Sequence, residues 1–129
     1  ELGAKMDVNA IHALNQRRGM LGSHLRQFMQ GFDLILTPST AVPAFKARPA
    51  GHSPMDSQAM LGWTPFSYPF NLSQQPAISL PCGFDSQGLP IGLQLITNVL
   101  EEPRLLQVAH HFEGAARVME KRPVAALVP

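Results

Sequence analysis

The chain has 129 residues, the size of one domain, and 45% of them are apolar, which is typical of a globular protein rather than a disordered one. Ten basic and nine acidic side chains leave a net charge of +1, which argues against a nucleic-acid-binding surface. No apolar run approaches the ~20 residues of a membrane-spanning helix, and the single cysteine excludes an internal disulfide and favours a reducing, cytoplasmic setting.

The first predicted element is an amphipathic helix, with Asp7 as its N-cap because the carboxylate can accept hydrogen bonds from free backbone N–H groups. Gly19 and Gly22 weaken this helix, so either tertiary packing offsets them or a neighbour approaches closely. The Arg17-Arg18 pair is interpreted as solvated charge. Apolar side chains recur at helical spacing and form a face that we expect to be buried. That face consists of Ile11, Leu14, Leu21, Leu25, Phe28 and Phe32.

A continuous apolar run at 34–36 predicts a buried strand with helices on both faces. Asp33, between the helix and this strand, is interpreted as a capping residue. Residues 39–63 show no period and are broken by proline and glycine, which predicts a long loop that includes a short helix near 57–61. Two interpretations stay open for the loop: an ordinary surface connection or a lid on the substrate side.

The aromatic segment 63–73 predicts a short helix or turn that packs its rings onto a following hairpin, with core packing and ligand contact both open as roles. The hairpin is predicted from apolar runs near 77–84 and 89–97, joined by a turn in which Gly88 takes a left-handed conformation. Cys82 falls inside the first run, so we expect a buried, structural thiol rather than a nucleophile.

The last predicted element is a helix that starts at Pro103, beside acidic residues that suit the positive end of the helix dipole. Pro123 ends it, and the short tail 124–129 is expected to fray or to pack on a neighbour. Apolar spacing again predicts a buried face. Its members are Leu105, Leu106, Ala109, Phe112 and Ala116.

Reactive groups do not form a recognisable pattern in this sequence. The five histidines lack metal-ligand spacing, and neither a Gly-x-Ser-x-Gly elbow nor a glycine-rich phosphate loop occurs. We therefore predict no metal, no cofactor and no catalytic residue in this chain.

Four blocks nevertheless carry a resemblance to a known family. Residues 71–84 read Asn-Leu-Ser-Gln-Gln-Pro-Ala-Ile-Ser-Leu-Pro-Cys-Gly-Phe, and residues 88–94 read Gly-Leu-Pro-Ile-Gly-Leu-Gln. Residues 32–38 read Phe-Asp-Leu-Ile-Leu-Thr-Pro, and 105–113 follow the pattern Leu-Leu-x-x-Ala-x-x-Phe-Glu. In this order the blocks resemble the C-terminal part of the amidase signature family, in which a glycine usually stands at the position of Gln74.

The resemblance implies an α/β fold: a C-terminal fragment of the amidase-signature fold, with a small mixed sheet that includes the hairpin and is flanked by helices. We treat residues 1–129 as a single domain, with a helix in 1–32, strands and the long loop in 33–97 and the C-terminal helix in 98–122. Family members hydrolyse amides with a serine–cis-serine–lysine triad. The blocks that carry this triad are absent here, so we expect the chain alone to be inactive.

The resemblance implies that this chain supplies scaffold and part of a substrate pocket. The candidate pocket residues are Trp63, Phe66, Asn71 and Ser73. The expected partner is a small-molecule amide substrate, bound together with an N-terminal portion. Because the chain begins at Glu1 rather than Met, we expect a cut piece of a longer protein, able to self-associate through exposed strand edges. The alternatives are a non-catalytic binding module and a piece of an amidotransferase A-type subunit that handles glutamine-derived ammonia.

Overall fold

A computed structural model of the protein describes residues 3–45 and 62–120. Short 3-10 turns at Gly3–Lys5, Met29–Gly31 and Val118–Glu120 accompany the main elements. No helix within the two described ranges is both long and apolar enough to cross a bilayer. In chain order the main elements are α1 (Val8–Phe28), β1 (Ile35–Pro38), α2 (Tyr68–Ser73), β2 (Ala77–Phe84), β3 (Pro90–Ile96) and α3 (Glu102–Ala116).

The centre of the fold is a three-stranded sheet in the order β1-β3-β2, in which both pairings are antiparallel. The predicted hairpin is confirmed as β2 and β3. Gly88 in its turn has φ 81°, the left-handed conformation that glycine adopts without steric cost. Pro90 is the first residue of β3 and pairs with Phe84. Proline is tolerated at the start of a strand, because its missing N–H interrupts the ladder of hydrogen bonds least there. The combination of helices and strands predicted from the sequence is confirmed. The sheet was predicted to be mixed, and both of its described pairings are antiparallel.

Strand alternation divides the apolar side chains between two clusters, one on each face of the sheet. On one face, Leu80 of β2 and Leu95 of β3 pack against Leu105 and Ala109 of α3. On the other face, Ile96 packs against Met29 and Phe70, which lie just after α1 and within α2. The sheet is therefore the middle layer, with α3 on one side and α2 with the end of α1 on the other.

Helix α1 begins where the sequence predicted, because Asp7 Oδ1 accepts a hydrogen bond from the backbone N–H of Ala10 at 2.7 Å. The prediction of a buried face is wrong for most of the helix. Ile11 and Leu14 are each 46% exposed, since α2 meets α1 further along, at Arg18 and Gly22. Phe28, the last residue of the helix, is 58% exposed as well. The close approach expected at the glycines occurs at Gly22, which is buried against the backbone of Ser73.

Two expectations around β1 are also wrong. The strand lies at the edge of the described sheet, and Leu36 is 58% exposed, so the run is not buried on both faces. Asp33 is not seen as a cap; its carboxylate lies 3.3 Å from the guanidinium of Arg104 in an exposed ion pair. Apolar composition identified the strand correctly, but burial depends on which elements cover it.

The predicted end and face of the last helix need correction as well. Arg117 takes a left-handed conformation with φ 50° and ends α3 at Ala116, well before Pro123. Leu106 is 59% exposed because it projects about 100° away from the Leu105 side chain around the helix. Ala116, predicted to be buried, is exposed.

Cys82 is exposed, contrary to the prediction of a buried thiol. The pairing of β2 with β3 shifts between Pro81 and Gly83, so Cys82 falls at an irregularity without a partner of its own. The helix expected near 57–61 and the tail 124–129 lie outside the described residues, as does most of the long loop.

Candidate functional site

The candidate site is built where the loop after β1 meets the segment before α2. The backbone N–H of Ala41 donates to the carbonyl oxygen of Trp63 at 3.1 Å. The rings of Phe45 and Trp63 meet edge to face, with centroids 5.9 Å apart. This geometry is favourable for aromatic pairs and holds the two segments side by side.

Gln94 ties the aromatic segment to the sheet. Its side chain is almost fully buried at the middle of β3, being 9% exposed. Its Nε2 donates to the carbonyl oxygen of Phe66 at 3.0 Å and to Thr37 Oγ1 at 2.9 Å. One amide thus links β3 to β1 and to the segment that carries two of the candidate pocket rings.

A polar row crosses the sheet at the same level. Thr37, Gln94 and Ser79 are direct register partners on the three strands, so their side chains share one face. Ser79 Oγ lies 2.5 Å from Ser39 Oγ, beyond the end of β1. Gly92 leaves the space for this pair, because a Cβ there would lie 2.6 Å from Ser39 Oγ.

Beside this row lies a cleft of about 180 Å³. Residues 40–44 form one wall, and Pro90, Ile91 and Gly92 form the other. Most of the lining side chains are apolar, but polar atoms make up about half of the exposed lining surface. Thr40 supplies the polar side chain, and its hydroxyl donates to the carbonyl oxygen of Val42 at 2.9 Å. The cleft suits a small group that has both apolar and polar parts.

The structure separates the four residues that the sequence proposed for the pocket. Trp63 and Phe66 are half-buried where the loop, the aromatic segment and the sheet meet. Asn71 is exposed on α2. Ser73 is 2% exposed; its hydroxyl donates to the carbonyl oxygen of Pro69 at 2.7 Å, and the side-chain amide of Gln75 lies against it.

The chemistry available at these residues is binding rather than proton transfer. Hydroxyl, amide and aromatic groups line the region, and the hydrogen-bond partners of Ser73 include no base that could activate its hydroxyl. Within 3–45 and 62–120, no group of three or more His, Cys, Asp or Glu side chains could hold a metal ion. The described region can shape and orient a ligand by contact and hydrogen bonding.

Gln94, Ser39 and Ser79 were not predicted from the sequence as site residues. A signal existed for Gln94, because a lone amide interrupts the apolar run of β3 and strand alternation places it on the face opposite Leu93 and Leu95. No local signal indicated Phe66 as its partner, since the two residues are 28 positions apart.

Comparison with known proteins decides the family. A family model described as Amidase matches residues 2–106. The chain belongs to the Amidase family. The resemblance identified from the four sequence blocks is therefore confirmed.

The proteins similar to this amidase-family chain are of two kinds, amidotransferase subunits and hydrolases. It is 55% identical over 97 residues to the A subunit of glutamyl-tRNA(Gln) amidotransferase from Synechococcus sp. (strain CC9605), covering 75% of this chain and 19% of the relative. A 6-aminohexanoate cyclic dimer hydrolase solved with its substrate matches with a TM-score of 0.77 and 27% identity, covering 94% of this chain and 27% of that one. The A subunit of glutamyl-tRNA(Gln) amidotransferase from Thermotoga maritima matches with a TM-score of 0.71 and 28% identity, covering 82% and 22% of the two chains.

The chain spans about a fifth of the length of the curated relative it matches. The similarity to the solved structures extends over nearly all of this chain, so the layered arrangement of α3, sheet and α2 is that of a segment of the amidase fold.

Proposed function

We propose that this amidase-family chain is the C-terminal scaffold and substrate-pocket portion of an enzyme that hydrolyses carbon–nitrogen amide bonds, with the catalytic triad outside these 129 residues. The observation that carries the proposal is the family match over residues 2–106. The similarity to the 6-aminohexanoate cyclic dimer hydrolase over 94% of the chain supports a hydrolytic function.

In this proposal the described site forms part of the pocket wall. Trp63 and Phe66 supply apolar surface, and Gln94 holds Phe66 against the sheet. The cleft between residues 40–44 and the start of β3 receives an apolar part of a small amide substrate. Asn71 and Ser73 stay candidates for polar contact. The buried hydroxyl of Ser73 makes it the weaker of the two.

A second candidate is a portion of the A subunit of an amidotransferase, favoured by the 55% identity to such a protein from Synechococcus. In that case the amide hydrolysed is that of a nitrogen donor such as glutamine, and the product ammonia passes to a partner subunit. Both candidates place the protein in the cytoplasm and require no cofactor.

A chimera tests both candidates. The region of the Synechococcus amidotransferase that matches this chain is replaced by the corresponding residues of this chain. We expect the chimera to release ammonia, from small aliphatic amides under the first candidate and from glutamine together with its partner subunits under the second. The chain alone should show no hydrolysis above background.

A matched pair of variants controls for folding of the chimera. Leu105→Asp places a charge in the cluster beneath the sheet and should abolish activity, whereas Leu106→Asp on the exposed side should leave it intact. A folded chimera that is inactive on every amide tested would contradict the proposal. Activity of the isolated chain would contradict the assignment of the triad to another part of the protein.

Self-association through strand edges is part of the same proposal. Within the described sheet, β1 and β2 each have one side without a neighbouring strand, and such edges can pair with another chain. Sedimentation velocity of the isolated chain should show a species larger than a monomer as concentration rises. A single monomeric species at high concentration would contradict this.

A further inference from the structure

A second cleft, of about 320 Å³, lies between α1 and the end of α2, apart from the candidate pocket. Its α1 wall includes Asn15, Arg18, Gly22 and Arg26, and its α2 wall ends at Gln74. Two of the lining side chains are cationic and none is acidic. Within the described residues, neither arginine takes part in an ion pair, so the cleft holds two positive charges that no carboxylate of the described chain offsets.

The two guanidinium groups approach the same turn of α1 from opposite ends. Arg18 lies one turn before Gly22, and its Nε donates to the carbonyl oxygen of Leu72 at 2.9 Å. Arg26 lies one turn after Gly22, and its Nη1 lies 3.3 Å from the position that a Cβ of Gly22 would take. Its Nη2 donates to Ser23 Oγ at 3.2 Å. These bonds orient the two heads and leave further N–H donors, because each guanidinium has five.

Gly22 forms the floor of the cleft. A Cβ at Gly22 would lie 3.5 Å from the carbonyl oxygen of Ser73, an ordinary van der Waals contact, and 3.3 Å from Arg26 Nη1, so a side chain there would press mainly on the Arg26 head. Gly19 has nothing within 4 Å of its Cβ position, so the space one turn earlier is empty of other described atoms. The side chain of Asn15 adds an amide to this end.

From this arrangement we infer that the cleft binds a small oxyanion, a carboxylate or a phosphate group, between Arg18 and Arg26. The planar guanidinium fork matches both groups and binds them through pairs of charge-assisted hydrogen bonds. An oxyanion also offsets the positive charge of two arginines that line the same cleft. The site is independent of amide hydrolysis and uses none of the candidate pocket residues except Ser73, which contributes backbone to its wall.

The test is an NMR titration of the 129-residue chain with inorganic phosphate and, separately, with sodium acetate, at an ionic strength held constant with chloride. We expect saturable shifts of the Gly22 amide and of the arginine Nε signals with one of the two anions, and none with chloride alone. The anion that saturates at the lower concentration identifies the source of the oxyanion as phosphate or carboxylate.

Three substitutions distinguish a built site from general attraction to a basic helix. Arg26→Gln should weaken binding by about tenfold or more, since a hydrogen bond to a charged group contributes at least that much. Arg26→Lys keeps the charge but loses the fork and should weaken it by a smaller factor. Arg17→Gln is the matched control, because Arg17 is exposed on the same helix and does not line the cleft.

Equal weakening by Arg17→Gln and Arg26→Gln would overturn the proposal, because it would show nonspecific attraction to the helix. Shifts that rise linearly with both anions and never saturate would also overturn it. Retention of binding in Arg17→Gln together with its loss in Arg26→Gln supports the site.

Discussion

The side chain of Gln94 donates to the backbone carbonyl oxygen of Phe66 across 28 residues of chain, at 3.0 Å. The same nitrogen also donates to Thr37 Oγ1, so one amide connects the sheet to the aromatic segment of the candidate pocket. The donating side chain of Gln94 is almost fully buried, so water cannot easily take its place as the donor to either acceptor.

Substitution Gln94→Leu should therefore destabilise the protein by about 1–3 kcal/mol, because it leaves two half-buried acceptors without their donor. Urea denaturation, followed by the fluorescence of the single tryptophan, Trp63, gives the free energy of unfolding and reports on the aromatic segment. The exposed Gln107 on α3 provides the control, and Gln107→Leu should change stability by less than about 0.5 kcal/mol. Equal effects of the two substitutions would show that the bridge does not hold the segment.

Gln74, at a position where the resemblance to the family predicts a glycine, adopts a left-handed conformation with φ 66°. A left-handed conformation costs an L-residue about 1–2 kcal/mol, a penalty that glycine does not have. Glycine loses more conformational entropy on folding, which offsets about 0.5–1 kcal/mol of that difference. Gln74→Gly should therefore raise the free energy of unfolding by about 0.5–1 kcal/mol. Gln16→Gly, in the right-handed interior of α1, should lower it by about 1 kcal/mol. Destabilisation by both changes would contradict the left-handed helix end.

Gly92 should not tolerate a side chain. The Cβ of Gly92→Ala would lie 2.6 Å from Ser39 Oγ and 2.9 Å from Ser39 Cβ, so rotation of the hydroxyl alone cannot relieve the clash. We expect a loss of about 1–3 kcal/mol in stability.

Two further variants locate the cause of that loss. Adding Ser39→Gly to Gly92→Ala should restore part of the stability, and the cycle of single and double variants measures the coupling. Gly83→Ala should have little effect, because nothing lies within 4 Å of its Cβ position. Additive effects of Ser39→Gly and Gly92→Ala would contradict the close contact.

Leu105 and Leu106 offer a direct comparison of burial in adjacent leucines of one helix. Leu105 is 4% exposed within the cluster under the sheet, whereas Leu106 is 59% exposed. Leu105→Ala should cost about 2–5 kcal/mol by the cavity it leaves, and Leu106→Ala should fall within about 0.5 kcal/mol of the parent. Thermal or urea unfolding of the two variants measures both values. A larger loss for Leu106→Ala would place the helix in a different rotation.

Local sequence was sufficient where neighbouring residues decide the structure. The hairpin followed from Gly88, Pro90 and short apolar runs, and the start of α1 followed from Asp7. The family was identifiable as well, because the four blocks carry it in the residues themselves. Trp63 and Phe66 could be proposed as pocket residues from the aromatic segment and the family resemblance, and their role in substrate binding stays a prediction.

Burial and long-range pairing were decided only by the tertiary structure. The spacing of apolar residues predicted a buried face on α1 and predicted that two adjacent leucines of α3 are buried. Which side chains lose contact with water depends on what other elements cover them. The exposure of Ile11 and Leu36 and the bridge from Gln94 to Phe66 follow from how α2, the sheet and the loops are placed. A sequence pattern records which side chains favour burial, whereas contact requires segments far apart in the chain to meet.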